Sequence, residues 1–296
     1  MIDLHMHTTA SDGERTPAEI LQKCEALGLE LISISDHYTM DGYDQLKDPA
    51  VRSLFSGEIL PACEFSAHFN GISIEVLGYG IDPEDARDYL KKTYPPLKEK
   101  QRREMEQLIL QYRERGFQFD EAAVRSNFNA HGGRTAMQIE LRRYPENVAR
   151  FFDPASETSE KSFLRREVSN PESPYFMNTE GLYPSAKEVC ETIRSLGGKA
   201  VIAHPGCYNQ RVYENLETLI QTARPDGLEA WYSTHTPEQR QHLLSLCEKY
   251  DLIYSGGSDY HNDAREKVGN VLGMAELADI FPVKEIRQWA DKLKKI

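Results

Sequence analysis

The chain has 296 residues, more than an average domain but within the size of one large α/β barrel, or of a barrel carrying an insertion. Its 40% hydrophobic and 28% charged residues exclude a disordered chain, and its net charge of −12 argues against broad, sequence-blind attraction to nucleic acid. No apolar run approaches the ~18–20 residues that a membrane span needs, and five scattered cysteines without Cys-x-x-Cys spacing exclude a disulfide framework or a disulfide-linked partner.

The cysteines (Cys24, Cys63, Cys190, Cys207, Cys247) read as reduced thiols. The first strand candidate begins almost at Met1, which leaves no room for a signal peptide, so the expected location is cytoplasmic. In that strand Ile2, Leu4 and Met6 alternate with Asp3, His5 and His7, which puts His5 and His7 on one side. Asp12 follows in a turn marked by Gly13. The stretch is a candidate metal corner, although a His-x-His taken alone reads sooner as two ordinary surface histidines.

Thr16-Pro17-Ala18-Glu19 is a capping box with proline at the first helical position. Ile20, Leu21, Cys24 and Leu27 recur at helical spacing until Gly28. Residues 29–35 predict a buried strand ending in Asp36-His37. A strand–helix–strand unit with histidines at the C-terminal strand ends suits a parallel barrel, whose active sites collect at that face. Residues 58–65 predict a third strand with Glu64 at its end, where a carboxylate among apolar neighbours needs a positive partner. Residues 72–79 predict a fourth strand carrying Glu75, which reads equally as a ligand or a solvated glutamate.

From Pro83 to Tyr183 the chain is charged and helical: residues 97–115 form a long helix closed by Gly116, and 120–128 and 134–144 two shorter ones. Residues 153–174 are polar and read as a loop. The expected organisation is a discontinuous barrel over 1–82 and 184–296, interrupted by a mainly helical insertion subdomain over 83–183. Ser185 and Glu188 then form a second capping box, with the helix stopping at Gly197-Gly198. Residues 199–203 predict a strand ending in His204-Pro205-Gly206-Cys207, and 216–223 a helix. Residues 227–232 predict a short strand, and Thr236-Pro237-Glu238-Gln239 opens a helix. Residues 252–255 predict a strand running into Gly256-Gly257-Ser258-Asp259-Tyr260-His261. Residues 284–296 form a closing amphipathic helix with Ile286, Trp289 and Leu293 on one side.

Four strand ends thus carry His5/His7, Asp36/His37, His204 and Asp259/His261, to which Asp12 and Glu64 are added. Imidazole–carboxylate sets suit Zn²⁺, Mn²⁺ or Fe²⁺ better than Ca²⁺ or Mg²⁺. About nine ligands are too many for one ion, so the constellation predicts a multinuclear centre. His68, four residues past Glu64, is expected not to be a ligand.

His5-x-His7, Ser11-Asp12-Gly13, Ser35-Asp36-His37, the Glu64 strand, Ala203-His204-Pro205 and Gly257-Ser258-Asp259-x-His261 resemble, in this order, the PHP (polymerase and histidinol phosphatase) family of metal-dependent phosphoesterases. The helical insertion resembles the branch that removes the 3′-phosphate of 3′,5′-bisphosphonucleotides or trims RNA 5′ ends. The resemblance implies a distorted (β/α)₇ barrel with two or three divalent ions. His5, His7, Glu64 and Asp259 would hold the first, Glu64 and His204 the second, and Asp12, His37 and His261 the third. The implied reaction is hydrolysis of a phosphate monoester by a metal-bridging hydroxide, with His204, Asp259 and Glu64 as catalytic residues. The substrate would be a small phosphorylated metabolite, most of all a 3′,5′-bisphosphonucleotide. A 5′–3′ exoribonuclease acting on short RNA, a histidinol-phosphate-type phosphatase and a catalytically silent metal-binding barrel are the alternatives.

Two motifs depart from the family pattern. Where it has a histidine before Leu-Gly-Tyr of the fourth strand, this chain has Glu75, a further candidate ligand of the second ion. Where it has Gly-Arg-Pro-His, this chain reads Gly133-Arg134-Thr135-Ala136. Arg134 is a phosphate-contact candidate, because a guanidinium fork suits phosphate, and it reads equally as a solvated arginine at a helix start. Arg165, Arg166 and Lys161 are looser candidates of the same kind, and His235 is expected near the barrel mouth as a substrate contact. Cys207 reads as a small packed thiol, His131 and His242 as loop or solvent-facing histidines. Tyr79, Tyr232 and Tyr260 read equally as core packing or as platforms for a base.

Overall fold

The strand β1 (Ile2–Met6) is buried along its whole length, charged residues included. The computed structural model describes residues 1–158, 160–266 and 269–296. Helix α1 (Pro17–Ala26) starts at the expected capping box, with Thr16 Oγ accepting from the Glu19 amide and Glu19 accepting from the Thr16 amide. It leads into β2 (Leu31–Ile34), the short helices α2 (Gly42–Gln45) and α3 (Pro49–Arg52), and β3 (Glu58–Ile59). The strands β1, β2 and β3 form one parallel sheet in that order.

The stretch expected as one strand over 58–65 is two. Pro61 has no amide hydrogen to donate and separates β3 from β4 (Ala62–Phe69). Glu64 therefore sits inside a strand and not at its end, a correction to the expectation. Asn70-Gly71, both at positive φ (52° and 77°), then turn the chain back into β5 (Ile72–Tyr79), antiparallel to β4. An Asn-Gly pair with both residues left-handed is the two-residue hairpin turn that matches strand twist.

Helices follow: α4 (Pro83–Thr93), α5 (Leu97–Glu114), α6 (Glu121–His131), α7 (Gly133–Leu141) and α8 (Pro145–Val148). Gly132, at φ 74°, makes the break between α6 and α7 that a side chain would strain. Residues 153–174 are more ordered than the expected loop: a 3₁₀ turn over Pro154–Glu157, α9 (Glu160–Phe163) and a π turn over Leu164–Val168. One buried carboxylate organises them. Glu167 accepts from the amides of Phe152 and Asp153 and from the hydroxyls of Ser156 and Ser173, at 2.6–3.2 Å. Lys161 lies outside the residues whose side chains are described.

The remaining elements are α10 (Ala186–Ser195), β6 (Lys199–Ile202), α11 (Gln210–Glu214), α12 (Leu216–Ala223), β7 (Gly227–Tyr232), α13 (Pro237–Tyr250), β8 (Ile253–Gly257), α14 (Asp263–Glu266) and α15 (Val283–Ala290). Capping boxes at Ser185/Glu188 and Thr236/Gln239 open α10 and α13 as expected. The second sheet has the order β4-β5-β6-β7-β8, antiparallel at its first two pairings and parallel at its last two. The architecture is mixed α/β.

The sheets meet where their strands run past each other. The Asp259 amide donates to His5 O (2.7 Å) and the His7 amide to Tyr260 O (2.8 Å), while the Glu64 amide donates to Ser35 O (3.1 Å). Gly257 makes the first of these contacts possible. A Cβ there would stand 2.3 Å from that of His5. One apolar cluster fills the space between the strands and their flanking helices. A second, containing Leu108, Tyr112, Phe128, Met137, Leu141 and Phe163, lies wholly within residues 105–177. Among the described residues no helix is long and apolar enough to cross a membrane, and all five cysteines are unpaired thiols.

Candidate metal centre

Because side chains alternate along β1, His5 and His7 face the same side, and their Nε2 atoms converge to 3.2 Å. Glu64 Oε2 stands 3.4 Å from His5 Nε2 and 3.3 Å from His7 Nε2. Asp259 Oδ1 stands 3.4 Å and 3.2 Å from the same two atoms. Ligand bonds near 2.1 Å place neighbouring donors about 3.0–3.4 Å apart in octahedral or tetrahedral shells. Four donors from β1, β4 and the turn after β8 thus match the shell of one divalent ion.

Two further groups adjoin it. Asp12 lies 3.3 Å from His261 Nε2, 3.6 Å from His7 Nδ1 and 3.8 Å from His37 Nε2, and these four residues form one metal-capable set. His37, Glu64 and Glu75 form another. His204 Nε2 stands beside it, 3.2 Å from Glu64 Oε1 and 3.3 Å from Glu75 Oε2. Glu75 on β5 therefore points at the cluster in the place where the family pattern has histidine. All nine residues expected as ligands are brought together, with Glu64 at their centre. His68 is not among them. It lies in β4 opposite Ser73.

The electrostatics fit cations. Burial disfavours charge on Glu64 and Asp259, but surrounding histidines outweigh it and hold both carboxyls well below their ordinary range. Burial likewise pushes His5 down, and Glu229, Glu64 and Asp259 reverse this and raise it well above 6.5. The clustered carboxylates thus demand positive charge, which bound cations would supply. The Nδ1 atoms of His37 and His204 are buried and, among the described residues, have no hydrogen-bond partner. Three residues of the site, Tyr38 (φ 55°), His204 (φ 29°) and Asp259 (φ 54°), hold positive φ without being glycine. Such backbone costs on the order of 1–3 kcal/mol each and persists where surroundings enforce it.

Supporting residues surround the donors, and of these Tyr208 and Asn270 escape a reading of the sequence by motif. Asp36 is buried and accepts from the Thr8 amide (2.7 Å), Thr8 Oγ1 (2.6 Å) and Ser11 Oγ (2.5 Å), which shapes the loop carrying Asp12. Tyr232 OH donates to Asp259 Oδ2 at 2.8 Å and in turn accepts from Asn270. Tyr208 OH accepts from the Glu75 amide (2.7 Å) and donates to Glu75 O (3.1 Å), gripping β5 at that residue. Tyr79 is core, and Tyr260 turns its hydroxyl away, toward Arg15 and Asp263.

The centre forms the floor of a cavity of about 760 Å³, a volume suited to a small ligand. The helical segment supplies the opposite wall, including Lys100, Glu104, Arg134 and Arg165. Arg134 Nε bonds Glu104 Oε2 at 3.1 Å, so Arg134 is anchored and not merely solvated. Lys100 is buried and donates to Tyr38 OH at 2.6 Å. Two expected contacts have other partners. Arg166 turns outward to pair with Asp153. His235 accepts from the Gly206 amide through Nε2 (3.1 Å) and donates from Nδ1 to Ala230 O (3.2 Å), which leaves neither ring nitrogen for substrate. Cys207 borders the cavity, and His131 lies on its exposed rim, while His242 faces solvent. Burial raises the Cys207 thiol, but His235, His204 and Arg165 overcome this and lower it to about 6.

The fold and this clustered histidine–carboxylate floor define the class. A family model described as the PHP domain matches residues 3–157, and the chain belongs to that family. Among curated proteins it is 27% identical over 263 residues to a 5′–3′ exoribonuclease of Haemophilus influenzae, covering 88% of this chain and 89% of that one. It is 24% identical over 262 residues to a 3′,5′-nucleoside bisphosphate phosphatase of Chromobacterium violaceum, covering 88% and 87%. Among solved structures it resembles a Bifidobacterium adolescentis protein assigned as a metal-dependent phosphoesterase (TM-score 0.62, 26% identity, 92% of this chain and 90% of that one).

Proposed function

We propose that this chain is a divalent-metal-dependent phosphoesterase whose substrate is a small phosphorylated metabolite, most of all a 3′,5′-bisphosphonucleotide that loses its 3′-phosphate. The observation that carries the reading is the convergence of four donor atoms of His5, His7, Glu64 and Asp259 at 3.2–3.4 Å, on the floor of a cavity with cationic groups opposite. In this reading His5, His7, Glu64 and Asp259 hold one ion. Glu64, Glu75 and His204 hold a second, and Asp12, His37 and His261 a third. When bound, Mn²⁺, Fe²⁺ or Zn²⁺ supplies Lewis acidity that lowers the pKa of water toward neutrality and neutralises phosphate oxygens.

The chain's own residues do the rest. Glu64 ties neighbouring sites together through its two oxygens, and Tyr232 fixes the orientation of Asp259. Lys100, Arg134 and Arg165 set three positive charges against Glu104 on the cavity wall, a net attraction for a phosphorylated ligand. His235 is committed to the backbone and His204 to the second ion, so protonation of the leaving alkoxide falls to water. The proposal includes a distorted barrel over 1–82 and 184–296 with residues 83–183 as a helical subdomain. A separate apolar cluster within residues 105–177 supports a helical unit there, while Ala86, Leu90, Tyr94 and Tyr183 pack into the first cluster with the strands.

A second reading is a 5′–3′ exoribonuclease acting on short oligonucleotides, favoured by the H. influenzae relative. One panel separates the readings. The purified protein with Mn²⁺ is given 3′,5′-bisphosphoadenosine, histidinol phosphate and a short 5′-phosphorylated RNA. Release of inorganic phosphate fastest from the bisphosphonucleotide is expected. Release of mononucleotides from RNA at a greater rate gives the second reading its case, and cleavage of none under any of the three metals overturns both.

A further inference from the structure

Glu229 is the third residue of β7, wholly buried between apolar Leu228 and Ala230. A carboxylate in the middle of a buried strand needs a strong reason, and each of its oxygens has one. Oε1 lies 3.0 Å from His5 Nδ1, on the ring edge opposite the metal-capable cluster. Oε2 accepts from the backbone amide of His204 at 2.7 Å. His204 is one of the site's positive-φ residues, at φ 29° and ψ 54°, and it precedes Pro205, so this bond helps to hold a turn that the chain does not adopt freely.

We propose that Glu229 is a positioning residue that serves two neighbouring ion sites at once, setting the ligating tautomer of His5 and pinning the backbone that presents His204. The proposal rests on the metal-binding reading given above. A carboxylate offers only acceptors, so its partner nitrogen, Nδ1, carries the proton and Nε2 keeps its lone pair toward Glu64 and Asp259. Carboxylates behind ligating histidines fix ring orientation and raise ligand basicity in this way. The unusual element is the sharing. One side chain braces a ring from β1 and an amide after β6, so loss of its second acceptor disturbs one or the other.

Glutamine is the discriminating replacement because it has the same shape and only one acceptor. If its carbonyl meets the His204 amide, its NH₂ faces His5 Nδ1 and drives the proton to Nε2, removing the ligating lone pair. If it is turned over, NH₂ meets the His204 N–H and two donors collide. Either way one site weakens.

The test is calorimetric titration of Mn²⁺ into chelator-stripped wild type and Glu229→Gln, with the Tm of both metal-free proteins as control. Expected is a 10–100-fold rise in Kd for at least one ion at a similar metal-free Tm. Wild-type binding with an unchanged Glu229→Gln titration overturns the Glu229 proposal and leaves the metal reading standing. A wild type that binds no Mn²⁺ overturns the metal reading, and this proposal with it. Should the variant fail to fold, ¹⁵N spectra of the zinc-loaded wild type decide. His5 protonated at Nδ1 and coordinated through Nε2 is the expected signature, and the opposite tautomer contradicts the proposal.

Discussion

Glu75 is the single residue at which this centre departs most from its family pattern, and its position gives the departure a chemical meaning. It stands 3.3 Å from His204 and shares its surroundings with Glu64, so the proposed second site would be richer in oxygen than one built with a histidine there. Carboxylate donors favour Mn²⁺ relative to Zn²⁺, and imidazole shifts the balance back. Glu75→His is therefore expected to move the Zn²⁺:Mn²⁺ occupancy ratio upward by on the order of tenfold after loading from an equimolar mixture. An unchanged ratio would mean that Glu75 does not contact the ion. Much of the remaining residue-level detail was open to sequence reading. His5 and His7 share a face because strand alternation is local, and the strand ends that carry His204, Asp259 and His261 follow from short apolar runs. Glu229 was not, because its partners lie 224 and 25 positions away in sequence. The faint signal is a lone glutamate inside the otherwise apolar Gly-Leu-Glu-Ala-Trp-Tyr run.

At the scale of elements, α5 and α7 meet at the cavity wall through Glu104. Burial alone would raise this carboxyl, but Arg134 and Lys100 outweigh it and bring it down to about 2. A carboxyl depressed on folding contributes stability that is fully present above its unfolded value, near 4.5, and is lost as pH falls toward 2. Glu104→Gln is expected to cost on the order of 3 kcal/mol in urea unfolding at pH 7 and at pH 5, with the gap to wild type closing below pH 4. A gap independent of pH would show that the Glu104 charge contributes nothing. Elements were legible where their signals are local. Capping boxes located the starts of α1, α10 and α13. The β4–β5 hairpin carries its signal in Asn70-Gly71 and not in the apolar pattern, which reads through Pro61. The order in residues 153–174 comes from Glu167 gathering four donors, which no periodicity reveals.

For the molecule as a whole, the two sheets are held together at the places where the candidate ligands emerge. The Asp259 amide bonds His5 O, and the Glu64 amide bonds Ser35 O beside Asp36 and His37. The strands that carry the ligands are thus the strands that join the sheets, and the helical segment closes over them to make the cavity. The mixed pairing of β4, β5 and β6 departs from a simple strand–helix repeat because a tight hairpin replaces a crossover helix, and it places Glu64 and Glu75 on adjacent antiparallel strands. On the proposed reading, this junction binds divalent ions that phosphoester hydrolysis requires. The most direct test is metal analysis of the purified protein alongside His5→Ala and Asp259→Asn, with phosphoesterase activity before and after chelation. Two or three ions per wild-type chain are expected, with fewer in each variant, and activity lost on chelation and restored by Mn²⁺. Full activity in both variants, or activity indifferent to chelation in a metal-free protein, would contradict that reading.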